Sequence, residues 1–166
     1  RTQSESLECR VTLPPSRSLI IRFRKAKTSP DPFPIYVENP GRTIDLTGSW
    51  SLSWTDPSGE FRTHRIEDLG SWTEIPGLES FSGTVAYETE FDLPSEQSRQ
   101  LWRLDLGTLH ESADVFVNGS NVGRVWTTPN QIDLLSGLVA GKNHLRLEVI
   151  NLLANRMIAL ERDESF

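Results

Sequence analysis

From residue 42 onward apolar and polar residues alternate with a period of two, the spacing that sends successive side chains to opposite faces of a β-strand. Trp50, Leu52 and Trp54 alternate with Ser51 and Ser53, and Val85, Tyr87, Thr89 and Phe91 with Ala86, Glu88 and Glu90. The same holds for Trp102, Leu104 and Leu106 against Arg103 and Asp105, and for Leu145, Leu147 and Val149 against Arg146 and Glu148. Each segment reads as an antiparallel strand with one face in a core and one in water. Residues 113–117 and 121–126 flank Asn118-Gly119, a pair that accepts the positive φ angles of a tight turn, and they predict a hairpin. Residues 132–141 predict one helical turn stopped by Gly141, and Leu153, Met157 and Leu160 share a helical face within 152–161. Many short strands with frequent turns and little helix imply an all-β fold, an antiparallel β-sandwich.

Upstream the pattern is different. Two short extended runs, 11–13 and 19–23, are separated by Pro14-Pro15 and Ser16, which read as a turn because proline cannot donate to a strand ladder. Residues 27–41 hold four of the ten prolines, a density that favours extended backbone over packed structure. The expected organisation is a remnant hairpin of a preceding domain over 1–26, a Pro-rich linker over 27–41 and the sandwich over 42–166. A start at Arg1, with no signal-like segment, fits an excised or processed piece.

Composition narrows the function classes. The chain has 166 residues, 36% of them hydrophobic and 24% charged, with five Trp and seven Phe, enough for a packed core. It is too short for a complete eight-fold α/β barrel, which takes about 200 residues or more. A net charge of -6 opposes a nucleic-acid surface, which needs clustered Lys and Arg in excess. No apolar run approaches the about 20 residues of a membrane-spanning helix, so neither nucleic acid nor membrane is an expected partner. Cys9 is the single cysteine and leaves the redox compartment undetermined.

Several stretches together carry a family likeness: Leu104-Asp-Leu-Gly, then 113–123 (Ala-Asp-Val-Phe-Val-Asn-Gly-Ser-Asn-Val-Gly), Ile132-Asp-Leu, and 140–151 ending Leu-Arg-Leu-Glu-Val-Ile-Asn. This succession of strand, tight hairpin, clearing glycine and closing strand resembles the galactose-binding-like jelly roll that serves as the sugar-binding domain of glycoside hydrolase family 2. Leu46-Thr-Gly-Ser-Trp50, 81–87, 122–129 and 151–156 are more closely similar to the C-terminal domain of family 106 α-L-rhamnosidase-like enzymes. The resemblance covers about residues 42–158. In the family 2 domain Val-Gly is typically followed by a His and two glycines, whereas Val122-Gly123 runs into Arg124-Val125-Trp126, so substrate contacts do not transfer directly. The resemblance implies a non-catalytic accessory domain, partnered by a catalytic barrel in the same parent chain, from an enzyme that is secreted or periplasmic.

No catalytic residue is assigned. Glycoside hydrolysis needs two carboxylates about 5 to 9.5 Å apart, and the nearest pairs in sequence, Glu88 with Glu90 and Glu111 with Asp114, are explained by solvated strand faces and turns. His64, His110 and His144 lie in separate segments without metal-ligand or nucleophile spacing. No metal or cofactor is expected, since no dense Asp run supports the structural Ca²⁺ that jelly rolls often hold. The chemistry the composition does supply is sugar recognition: an aromatic face for the pyranose ring and polar side chains for its hydroxyls. Trp126, followed by Thr127-Thr128-Pro129 and then Asn130 and Gln131, is the first candidate for binding an oligo- or polysaccharide, and Trp72 is the second. Trp50, Trp54, Trp102 and Tyr87 fall on apolar faces and are expected in the core. Asn155 and Arg156 are candidates for anchoring a neighbouring domain or a ligand. Asn118-Gly119-Ser120 matches an N-glycosylation sequon, but the hairpin explains it without a glycan. Two other classes stand beside the accessory-domain reading: an autonomous carbohydrate-binding module and a structural interdomain spacer.

Overall fold

The alternating segments assemble into eight strands in two antiparallel sheets. In the computed structural model, residues 11, 13, 18–21, 41–46, 48–98 and 100–162 are described. The chain divides into two units, Arg1–Ile44 and Asp45–Phe166. In the first, the described residues Val11, Leu13, 18–21 and 41–44 carry no helix or strand; the rest of the expected hairpin, and the linker up to residue 40, lie outside the described residues.

The second unit contains β1 (Trp50–Thr55), β2 (Phe61–Ile66), β3 (Thr84–Leu93), β4 (Trp102–Asp105), β5 (Ser112–Val117), β6 (Ser120–Val125), β7 (Gln131–Leu134) and β8 (Gly141–Ile150), followed by helix α1 (Ala154–Arg162). Six strands form one sheet in the order β2-β1-β3-β8-β5-β6, and β4 and β7 form the other. The ten-residue β8 lies at the centre, pairing with β3 along its whole length and with β5 from Ser112 to Val117. The expected all-β, antiparallel sandwich is the observed architecture.

The apolar face of each strand enters one core. Leu52, Val85, Val115 and Val117 are fully buried, with Trp50, Trp54, Tyr87, Leu145 and Leu147 beside them. From the two-stranded sheet come Leu134, Trp102, Leu104 and Ile132. Burial of this apolar surface is the main favourable term in folding, at about 25 cal/mol per Å².

Two sequence expectations are corrected. Residues 131–134 are a strand, not part of a helical turn: Ile132 and Leu134 point inward opposite Leu104 and Trp102, and this cross-strand packing outweighs local helix preference. The second strand of the hairpin stops at Val125, which leaves Trp126 outside it. The predicted terminal helix is present, but none of its residues is buried, and Leu153, Met157 and Ile158 stand exposed.

The Asn118-Gly119 turn has φ of 49° and 80°, the pair of positive values that a two-residue hairpin of this hand requires. Gly123, at φ 141°, is needed for a second reason: a Cβ there would sit 2.8 Å from Cδ1 of Ile132 on the neighbouring strand β7. The absence of a side chain at this position lets the two sheets close over the core.

Candidate functional site

Trp126 follows the last residue of β6 and is 68% exposed, while Val125 before it is buried. The loop that carries it is tied down at its far end. The Asn130 carbonyl accepts the Leu106 N–H at 2.8 Å, and its side-chain amide donates to the Gly107 carbonyl at 2.9 Å. Gln131 Nε2 donates to Asp105 Oδ2 at 2.8 Å. Asn130 and Gln131 therefore fix the Trp126 loop to the end of β4, with their amides already engaged. The result is a rigidly mounted exposed aromatic flanked by polar groups, the arrangement that stacks on the C–H face of a pyranose.

Trp72 has the opposite fate. It opens a 3₁₀ turn, Trp72–Glu74, whose N-cap Ser71 accepts the Thr73 N–H. The turn points the indole inward, where it is 9% exposed, and the following residues Ile75 and Leu78 are buried with it. Its Nε1–H donates to the Tyr87 hydroxyl at 2.5 Å, and its ring lies 5.9 Å from that of Phe81. Burial pushes the Tyr87 hydroxyl above its ordinary pKa, and the bond from Trp72 pulls in the other direction. As a stacking surface for sugar Trp72 is withdrawn, because a buried ring with its N–H satisfied offers no face.

Asn155 and Arg156 lie on α1, half-buried and exposed respectively, and among the described residues neither side chain has a hydrogen bond or ion pair. The carboxylates near one another in sequence are each committed elsewhere or in a turn. Glu88 faces Arg146 at 3.3 Å and Glu90 holds Lys142 at 2.8 Å. Asp114 makes a bidentate pair with Arg124, both bonds 2.6 Å. Those cations lower the pKa values of Glu90 and Asp114. Glu111 occupies a positive-φ turn position. Among the described residues no group of three or more His, Cys, Asp or Glu is placed to hold a metal ion. A shallow concavity of about 420 Å³ opens between residues 55–57 and 81–84. Its Asp56 carboxylate is held well below the usual range by the Ser58 hydroxyl first, then by the Glu60 N–H and Arg62.

Three asparagines do structural work that residue type alone concealed. Asn118 donates to the Gly137 carbonyl and to Asn143 Oδ1, and accepts the His144 N–H. Asn143, 1% exposed, bonds Val139 through both its amide oxygen and nitrogen and also reaches the Gly141 carbonyl. Asn151 clasps the Gly83 N–H and the Phe81 carbonyl. The stretches 81–87 and 151–156, distant in sequence, thus meet through Asn151.

Comparison with known proteins agrees with this geometry. Residues 84–143 match the family model of the β-galactosidase galactose-binding domain. A Formosa agariphila protein that carries a provisional β-glucuronidase name is 31% identical over 130 residues, covering 76% of this chain and 11% of that protein. Among solved structures, a rhamnosidase from Novosphingobium sp. PP1Y superposes with a TM-score of 0.63 at 28% identity, covering 76% of this chain and 12% of that enzyme. A family 2 β-galacturonidase from Eisenbergiella tayi shares the fold, with a TM-score of 0.55 at 23% identity over 67% of this chain and 19% of its own. The chain thus spans about a tenth of the length of the first two relatives. Over residues 84–143 the sandwich thus matches a galactose-binding domain, and it is similar in fold to domains built into glycoside hydrolases.

Proposed function

We propose that this chain contributes a non-catalytic accessory domain to a bacterial glycoside hydrolase of the α-L-rhamnosidase-like kind, where it packs against the catalytic domain and presents Trp126 to sugar at or beside the cleft. The observation that carries the reading is the contrast between an indole 68% exposed and the fixed loop on which it stands. An exposed indole beside polar side chains offers the apolar face that stacks on a pyranose. The exposed Leu153, just before α1, and Met157 and Ile158 on it support packing against a further domain, since an apolar helix face is normally covered. The 28% identity to a rhamnosidase supports the parent class.

A second reading, an autonomous carbohydrate-binding module, draws on the same exposed indole. The two separate in one experiment: the purified chain and its Trp126→Ala variant are passed over immobilised neutral and acidic plant and bacterial oligosaccharides. Retention lost in the variant establishes sugar contact by this chain alone and favours the module. Absence of retention with intact folding leaves the accessory role, tested by kcat/KM of the multidomain enzyme carrying Trp126→Ala. An unchanged kcat/KM there would rule out contact at the cleft.

A further inference from the structure

We infer that the Trp126 surface selects neutral pyranosides and disfavours uronic acids, an inference that rests on the sugar-contact reading above. Residues 45–166 carry 9 Lys and Arg against 19 Asp and Glu, a net -10 concentrated on the sandwich. The segment around Trp126 shares this bias. Between Trp102 and Leu134, Arg103 and Arg124 are the only Lys or Arg, set against Asp105, Glu111, Asp114 and Asp133.

Recognition of a uronate requires a cation free to meet its carboxylate, most effectively a guanidinium in bidentate geometry. Both guanidiniums here already have a carboxylate partner. Arg103 Nε lies 2.6 Å from Asp133 Oδ1, and Arg124 spends two donors on Asp114. Asp105 accepts hydrogen bonds from the Gly107 N–H and from Gln131, neither of them charged, so its negative charge is uncompensated beside the anchored end of the Trp126 loop. A uronate approaching the indole therefore meets net negative charge and two cations whose charge is already offset by Asp133 and Asp114, while a neutral pyranose gives up nothing by that field.

The test measures the Trp126-dependent part of binding, wild type minus Trp126→Ala, on three immobilised probes at pH 7.5: a rhamnose-terminated oligosaccharide, a neutral galactan and homogalacturonan. The expected result is binding to at least one neutral probe, with homogalacturonan at least about tenfold weaker at about 0.01 M salt and closer to the neutral probes at about 1 M, where screening is strong. Asp133→Asn, at an exposed position, frees Arg103 and is expected to raise homogalacturonan binding severalfold with the neutral probes unchanged. Trp126-dependent binding of homogalacturonan equal to or tighter than the neutral probes overturns the inference and leaves the sugar-contact reading standing. Loss of every Trp126-dependent signal, with the fold intact by circular dichroism, overturns the contact reading itself.

Discussion

Trp72 and Trp126 are each followed by threonine in a polar loop after a strand, yet one is sealed in the core and the other stands in water. The difference lies in what surrounds them. Trp72 is followed at three and six residues by Ile75 and Leu78, so the 3₁₀ turn has three apolar side chains on its inner side and a phenol waiting for the indole N–H. Trp126 follows an inward Val125 and leads into the loop Thr127-Thr128-Pro129, where it stands 68% exposed. Burial of a large aromatic is thus decided by a cooperating set of neighbours, and a solitary exposed one is available for a ligand.

The comparison is most severely tested by truncation. Trp72→Ala should destabilise the sandwich by about 3–5 kcal/mol through lost contacts and a cavity, read as a lowered urea midpoint. Gly123→Ala, which drives a Cβ against Ile132 at a positive φ, should cost about 1–3 kcal/mol, visible as a lowered Tm. Trp72→Phe keeps a six-membered ring but removes the rest of the indole together with its bond to Tyr87, so a loss of about 1–2 kcal/mol, smaller than that of the alanine variant, is expected. Trp126→Ala should change stability by less than about 0.5 kcal/mol. A large destabilisation by Trp126→Ala would erase the distinction between the two loops.

Acid sharpens the picture of the loop that follows β1. Asp56 has a folded pKa below its ordinary 3.8 because Ser58, Glu60 and Arg62 hydrogen-bond its ionised form. A carboxylate depressed in the folded state adds stability above the unfolded pKa and loses it as pH falls through 3.8 and below. Asp56→Asn should therefore lower stability at neutral pH and flatten its decline in acid, seen in Tm measured from pH 7 to pH 2. An unchanged acid slope in the variant would show that Asp56 is not among the groups responsible.

Strands with a bold apolar stripe are legible from the sequence: β1 and β5 bury the alternate residues that the pattern marks, β3 and β8 bury most of theirs, and in β4 Trp102 and Leu104 are partly buried against the core. β2 is not. Phe-Arg-Thr-His-Arg-Ile has no buried residue, and its strand form follows from pairing with β1. β7 was taken for a helical turn because four residues are too few to separate the two periods, and only the opposite strand β4 settles them. At the candidate site, the loop of Trp126 was legible as polar and aromatic, and its exposure followed. The burial of Trp72 depends on Tyr87, fifteen residues away, and the roles of Asn118, Asn143 and Asn151 depend on partners up to seventy residues distant, which spacing alone does not reveal.

The order of the large sheet leaves β2 and β6 at its margins, and among the described strands β2 pairs only with β1. An open margin is a template on which another chain can add a strand. β2 carries Phe61, 67% exposed, but it also carries Arg62 and Arg65, whose charges would stack against themselves in a second copy laid alongside. Charge on an open margin is one of the devices that disfavour strand addition, and here Arg62 is itself held by Asp56 and Glu60, which leaves Arg65, among the described residues, as the unpaired charge on that margin. Replacing Arg65 with threonine would keep the strand while making this margin more accepting of an added strand.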